Sequence, residues 1–547
     1  MTSTVFTGGS LFDGHEHVGA VDAVVVRDGV VTDVRRAGQG RPRPESGQQV
    51  VDLAGGMLAP GFVDAHVHAV QGGLERVRCD LSDVGTREGY VAAVAAYAAA
   101  HPERAWVLGG GWAMAAFPGG TPTAADLDAV LPDRPVLLPN RDHHGAWVNT
   151  RALELAGITA ETPDPPHGRI ERDADGRPTG TLHEAAMALV ADLAPATTEA
   201  EYDAALLAGQ SYLHSVGVTG WQDAIVGAYA GMDDPGPAYL RAAQRGVLTA
   251  HVVGALWWER DRGLEQVADL VARRAAYSHG RFRATSVKVM QDGVAENGSA
   301  SLTAPYLDRC GHPTDNAGHS FLDPAALTAA VAALAAEGFQ VHVHGIGDRG
   351  VREALDAFEA LDDDLRRAGR HHVAHLQLVH PDDVPRFGAL GVAANLQTLW
   401  ACLDEQMVEL TLPFLGLERA GWQYPFGSLH RTGARLVAGS DWPVSTPHPL
   451  EAVHVAVNRW ARDEAGRGGT EAFLPEQALD LATSLAAYTS GSAWVNRRDD
   501  VGAGTVAPGA VADLVVLDRD PFLGPVEEVG ATQVSSTWVD GACVFAV

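Results

Sequence analysis

The middle of the chain alternates strand and helix with a regularity that restricts it to a parallel α/β architecture. Asp323-Pro324 supplies an N-cap and a proline suited to the first helical position, and the alanine-rich segment that they open runs to Gly338. The β-branched run Phe339-Gln340-Val341-His342-Val343-His344 follows, then a glycine-bearing turn and a helix predicted over residues 349–361. Another strand, 373–378, precedes Pro381-Asp382-Asp383, which opens the next helix. Antiparallel neighbours need only a hairpin, whereas a helix between successive strands is a crossover, so this cadence implies a parallel sheet.

Eight segments read as strands of that sheet: 58–65, 216–222, 250–256, 285–291, 339–344, 372–377, 392–395 and 436–440. Eight β/α units predict a (β/α)8 TIM barrel rather than an open doubly wound sheet. No GxGxxG opens any of the helices, which weakens a dinucleotide-binding alternative. The gap between the first two strands is too long for one crossover, so residues 69–197 are predicted to be an insertion covering the barrel mouth. The ends differ in character. Valine-rich runs at 21–26 and 30–34 are parted by Asp28-Gly29, a hairpin signal, and the C-terminal stretch repeats the pattern at 513–518 and 537–539. We therefore expect a small discontinuous β-sandwich domain from residues 1–57 and 500–547, with 58–499 forming the barrel and its insertion.

Composition bounds the partners. The 547 residues carry 69 Asp+Glu against 40 Lys+Arg, a net charge of −29, which argues against a nucleic-acid backbone or an anionic membrane as partner. Cys79, Cys310, Cys402 and Cys543 form no CxxC pair, as suits a reducing compartment and neither a disulfide framework nor a zinc knuckle. The first residues lack a basic segment followed by an apolar one, and the longest apolar run, 325–336, falls short of the roughly 20 residues that span a bilayer. A cytoplasmic protein acting on a small molecule is the expectation.

In a barrel of this kind the working residues sit at the C-terminal ends of strands. The first strand ends in His66-Val67-His68, whose period of two puts both imidazoles on one side. His344 closes the fifth strand, His375 lies near the end of the sixth, and Asp441 directly follows the eighth. Packing does not account for histidines from three strands and a carboxylate from a fourth; they are the ligand types of zinc or a similar divalent ion. His342 shares the face of His344 and is an equally good ligand on position alone. Lys288, on the fourth strand, either runs its stem along the sheet to water or, buried as a neutral amine, reacts with CO2 to give an anionic carbamate.

The ordered set Gly61-Phe62-Val63-Asp64-Ala65-His66-Val67-His68, Lys288 with Asp292-Gly293, His344-Gly345-Ile346-Gly347-Asp348, Ala374-His375-Leu376-Gln377 and Gly439-Ser440-Asp441-Trp442-Pro443 closely resembles the amidohydrolase superfamily. Within it the chain is similar to amidohydrolase family 3, the YtcJ-like branch that includes N-substituted formamide deformylases. The resemblance extends to His144-Gly145-Ala146-Trp147-Val148-Asn149 in the insertion and to 508–514 in the tail. It implies one or two divalent ions, zinc foremost: His66 and His68 on one, His344 (preferred over His342) and His375 on the other, carboxylated Lys288 as the bridge, and Asp441 touching metal and water. Many members carry Glu before the sixth-strand histidine, where this chain has Ala374, so one supporting hydrogen bond is expected to be missing.

The reaction expected of such a site is hydrolysis of a small molecule's C–N bond by metal-activated water, with Asp441 as general base and then acid. The same centre also suits esters, lactones, carbamates or an isomerisation, and a non-catalytic binding protein is the remaining reading. His144 is, by the resemblance, a substrate-polarising donor. Trp112 and Trp147 in the insertion, with Tyr306 and Trp442, are candidate pocket walls, and Arg349 a candidate for a substrate carboxylate or for a helix-start ion pair. A homodimer is expected by analogy.

Overall fold

The computed structural model describes all residues except 1–2, 43–46, 83, 230–231 and 463–470. Eight parallel strands form a near-closed α/β barrel, numbered here β1 Phe62–Val67, β2 Val218–Val226, β3 His251–Trp257, β4 Phe282–Met290, β5 Gln340–Gly345, β6 His372–His375, β7 Ala393–Leu396 and β8 Leu436–Ala438. They pair in sequence order from β1 to β8. At the mouth, the Asp441 N–H donates to the His66 carbonyl and the His68 N–H to the Trp442 carbonyl, both at 2.8 Å, which draws the end of β8 against β1. The helix Pro324–Ala336 starts as its sequence dictates: the Asp323 side chain accepts from the Ala325 and Ala326 N–H groups at 3.0 Å.

The first expected strand, 58–65, is two strands. Met57–Pro60 pairs antiparallel with Leu514–Leu517 and parallel with Gly9–Phe12, in a sheet assembled from both ends of the chain. Only after Gly61 does β1 enter the barrel. Gly61 marks the handover because a Cβ there would lie 2.2 Å from the Thr219 side chain. The Asp28-Gly29 hairpin joins His17–Arg27 to Val30–Arg36, with φ of 46° and 82° at the two turn residues, as a type I′ turn requires.

Between β1 and β2 lies a separate six-stranded sheet in the order Gly168–Arg172, Pro178–Glu184, Gly145–Val148, Val136–Pro139, Val107–Gly110, Cys79–Asp80. The helix α1, Ala69–Arg76, leads from β1 into it and packs on the helix α2, Glu199–Ser215, which returns to β2. The packing is close because both helices present glycine. A Cβ on Gly73 would fall 1.9 Å from the Ala205 carbonyl oxygen, and one on Gly209 would fall 2.3 Å from that of Ala69. Gly73→Ala must push these helices apart and should cost about 1–3 kcal/mol. Chemical denaturation checks this: a midpoint equal to that of the parent chain would show that the helices separate freely.

Candidate metal centre

Six polar side chains from the ends of five strands point into one small space. His66 and His68 alternate around Val67 on β1 and share the inner face of the barrel. The Asp441 Oδ1 lies 3.2 Å from His66 Nε2 and 3.0 Å from His68 Nε2, and its Oδ2 lies 3.7 Å from His375 Nδ1. Lys288 Nζ approaches His66 Nε2 at 3.5 Å. The rings of His344 and His375 lie 4.3 Å apart, and those of His66 and His375 4.7 Å. Asp441 and His375 both take a positive φ, 55° and 82°, which turns their side chains inward at strand ends where an extended residue would not point them.

Burial sets the protonation states. It lowers the His66 pKa to about 3, helped by the charge of Lys288 and only partly opposed by Asp441. Burial likewise holds His344 and His375 well below the ordinary histidine value. Burial would raise Asp441, but His66, His68 and His375 outweigh it and keep the carboxylate ionised. Burial pushes the Lys288 amine down to about 7, against the pull of Asp441. Neutral imidazoles facing an anionic carboxylate are the form in which these groups bind a cation. The donors also have capacity to spare: His68 Nδ1, both ring nitrogens of His375 and Asp441 Oδ1 are buried without a well-formed hydrogen bond. The residues therefore fit a divalent metal ion.

Beneath the centre, the barrel interior is filled by a polar ladder that the sequence pattern alone did not reveal. The Gln340 amide donates to the backbone carbonyls of Arg370 and Val495 at 2.8 Å each, which fixes its orientation. Its oxygen then accepts from the Gln222 amide at 2.9 Å, and the Gln222 oxygen faces His342 Nδ1 at 2.8 Å. His342 Nδ1 must donate, so its Nε2 accepts from His66 Nδ1 at 2.9 Å. The tautomer of His66 follows from two backbone carbonyls, and its Nε2 lone pair is left facing Asp441. His342 therefore stands behind His66. His344 Nε2 faces the Gly293 carbonyl at 3.2 Å and donates to it, which leaves the Nδ1 lone pair free.

Two buried aspartates brace the strand ends. Asp64 accepts from the backbone N–H groups of His66 and Ser440, and Asp292 from those of Ser301, Ile346 and Gly347. The insertion contributes His144, whose Nδ1 lies 2.8 Å from Glu184 Oε1. Glu184 also accepts from Asn297 and Ser299 of the loop after β4. Burial alone would lower His144, but Glu184, then Asp142, outweigh it and raise the pKa to about 9; Glu184 in turn falls to about 2 against its own burial.

The pocket is lined by His66, His68, His144, Lys288, His344, His375 and Asp441, together with Trp400, whose ring stacks on His375 at 5.4 Å. The other sequence candidates lie elsewhere. Trp112 and Trp147 are fully buried in the insertion and donate their indole N–H groups to the Leu138 and Thr123 carbonyls; Trp112 also borders a second cavity of about 310 Å³. Tyr306 donates to the Ala300 carbonyl, and Arg349 to Ser301 Oγ and the Ala317 carbonyl. Trp442 packs on Tyr212 of α2, with ring centres 5.3 Å apart, where a Cβ on Gly72 would strike its ring.

A barrel with imidazoles and a carboxylate gathered at its strand ends is the frame of a metal-dependent hydrolase. The chain belongs to the amidohydrolase family, whose model matches residues 49–545. The Arabidopsis thaliana protein LONG AFTER FAR-RED 3 is 30% identical over 98% of this chain and 91% of its own length. The N-substituted formamide deformylase of Arthrobacter pascens is 27% identical over 95% and 94%. An uncharacterized metal-dependent hydrolase from Pyrococcus horikoshii OT3 superposes with a TM-score of 0.72 at 25% identity, covering 96% of this chain and 99% of that one.

Two outcomes follow from the geometry. Gln222→Leu cuts the ladder that sets the His66 tautomer and should weaken metal binding by about 10–100-fold; competition with a chromogenic chelator reads it, and parent-like affinity would sink the relay. For the His144–Glu184 pair, the contribution of the raised histidine is complete below its unfolded value of 6.5 and lost as pH rises through about 9. That of the lowered glutamate is complete above 4.5 and lost as pH falls through about 2. Glu184→Gln should return the His144 titration toward the ordinary histidine range in an NMR titration, and an unchanged titration would contradict the pairing.

Proposed function

We propose that the chain hydrolyses the C–N bond of a small acyclic amide at a divalent-metal centre held by His66, His68, Lys288, His344, His375 and Asp441. The convergence of His66, His68 and His375 on the single buried Asp441 carboxylate carries this reading. His66 and His68 would hold one ion and His344 and His375 a second. Lys288 would join them as a carbamate: its neutral nitrogen adds to the carbon of CO2 and loses a proton to solvent, and the free amine favoured by burial is the reactive form. A bound divalent ion, zinc suiting these donors best, supplies an activated water and a Lewis acid for the amide carbonyl.

The chain's own groups do the rest. Asp441, ionised and adjacent to the histidines, takes the proton of the attacking water and passes it to the leaving nitrogen as the C–N bond breaks. The products are a carboxylic acid and an amine. His144, kept protonated by Glu184, offers an N–H to the carbonyl oxygen as negative charge develops there. The relative named an N-substituted formamide deformylase acts, by that name, on an acyclic amide, which favours this class over esters and lactones. Free cysteines at 79, 310, 402 and 543 suit the reducing cytoplasm.

Turnover of matched N-acyl amines, esters and lactones by the zinc-loaded protein tests the reading. The amides should be hydrolysed with the highest kcat/KM, and Asp441→Asn should lower it by at least about 10²-fold. Preference for esters or lactones, or an Asp441→Asn variant of full activity, would overturn it.

A further inference from the structure

The metal pocket encloses about 60 Å³, room for a scissile group and little more, so the rest of a substrate occupies an adjoining space. The larger neighbour is a cavity of about 510 Å³ that shares Gln71, His143 and Tyr229 with the metal pocket. It lies in the usual size range of ligand sites. Helix α1 begins directly after His68 and so leads away from the metal ligands. Gln71 and Glu75, four residues apart on the helix, and Arg78 just beyond its end line the cavity.

The junction between the two spaces is polar and incompletely satisfied. Gln71 Nε2 donates to His143 Nδ1 at 2.7 Å, which leaves the ring proton on Nε2. Glu75 Oε1 lies 3.0 Å from that Nε2, yet neither His143 Nε2 nor Glu75 Oε2 has a well-formed hydrogen bond, and Glu75 is only 6% exposed. A carboxylate oxygen buried this far needs a donor. The walls beyond are apolar, formed by Leu108, Leu137 and Met187. The charged lining is three carboxylates, Glu75, Asp192 and Asp233, against the single guanidinium of Arg78, which donates to Thr197 Oγ1 at 2.8 Å. That balance attracts a cation.

We propose that this cavity is the specificity subsite for the nitrogen substituent of the amide, and that Glu75 binds a protonated amine carried on it. The proposal rests on the amide-hydrolase reading. Glu75 stands seven residues beyond His68, about 10 Å along the helix axis, which suits an amino group about four carbons from the scissile nitrogen.

N-(4-aminobutyl)formamide and N-pentylformamide, nearly equal in size, test this with the zinc-loaded protein. The amino substrate should have a kcat/KM at least tenfold higher, chiefly through KM, and in Glu75→Gln the ratio should fall within threefold of one. A ratio near or below one in the parent chain, or a ratio that Glu75→Gln leaves intact, overturns the subsite. If neither formamide is turned over, the amide reading fails, and calorimetry decides the subsite on its own with butane-1,4-diamine and pentylamine. At least tenfold tighter binding of the diamine, lost in Glu75→Gln, upholds it; equal binding sinks it.

Discussion

Closure of the barrel between β1 and β8 is the constraint on which the site depends. The residues that gather there are spread from 66 to 441 along the chain, and apart from the His66–His68 pair none is held near the others by local structure. Two backbone hydrogen bonds at 2.8 Å, between Asp441 and His66 and between His68 and Trp442, put the last strand end against the first. Asp64 fixes the same seam by accepting from both His66 and Ser440. Gly439 makes the approach feasible, since a Cβ there would lie 2.6 Å from the backbone nitrogen of His66. Once the seam is shut, Asp441 meets three imidazoles and the electrostatics of the centre follow.

A histidine cluster of this density carries a cost that the fold must offset. The rings of His66, His342, His344 and His375 are buried and held neutral, so each must have a fixed tautomer. The ladder Gln340–Gln222–His342–His66 meets both needs, because two backbone carbonyls dictate every donor and acceptor above them. His372 Nε2 also faces the Gln222 oxygen, at 3.1 Å, and Asn395 lies 3.1 Å from the other nitrogen of the ring. A barrel interior is ordinarily packed with branched apolar side chains. Here much of it is given to amides and imidazoles whose shared purpose is to hold the layer above them.

The parallel barrel was legible because strand and helix signals are local: the Asp323-Pro324 cap, the Asp28-Gly29 turn and the valine-rich strands each follow from nearest neighbours. The gathering of His66, His68, His375 and Asp441 could be anticipated because strand ends of a barrel share one face; the choice of His344 over His342 and the part given to Lys288 came from the resemblance to amidohydrolases. What was not legible depends on pairing at long range. The break of the first strand at Gly61 arises because Met57–Pro60 finds partners near residue 516. Gln222, Glu184 and Glu75 are ordinary polar residues in sequence, and only their neighbours from distant segments give them work. The place of Trp147 has the same long-range origin: it packs in the insertion's own core beside Trp112 and Phe117. Trp400 and Tyr229, with no motif around them, are aromatic residues that line the metal pocket.

The central claim is that the strand-end cluster holds divalent metal, bridged by a modified Lys288. Anomalous scattering from crystals at the zinc edge, combined with electron density at Lys288, tests it most directly. The account predicts anomalous peaks within ligand distance of His66 and His68 and of His344 and His375, with continuous density for three further atoms beyond Lys288 Nζ. An absence of any peak among these residues after loading with zinc would contradict it; a single peak with a bare lysine would contradict the bridged two-ion form.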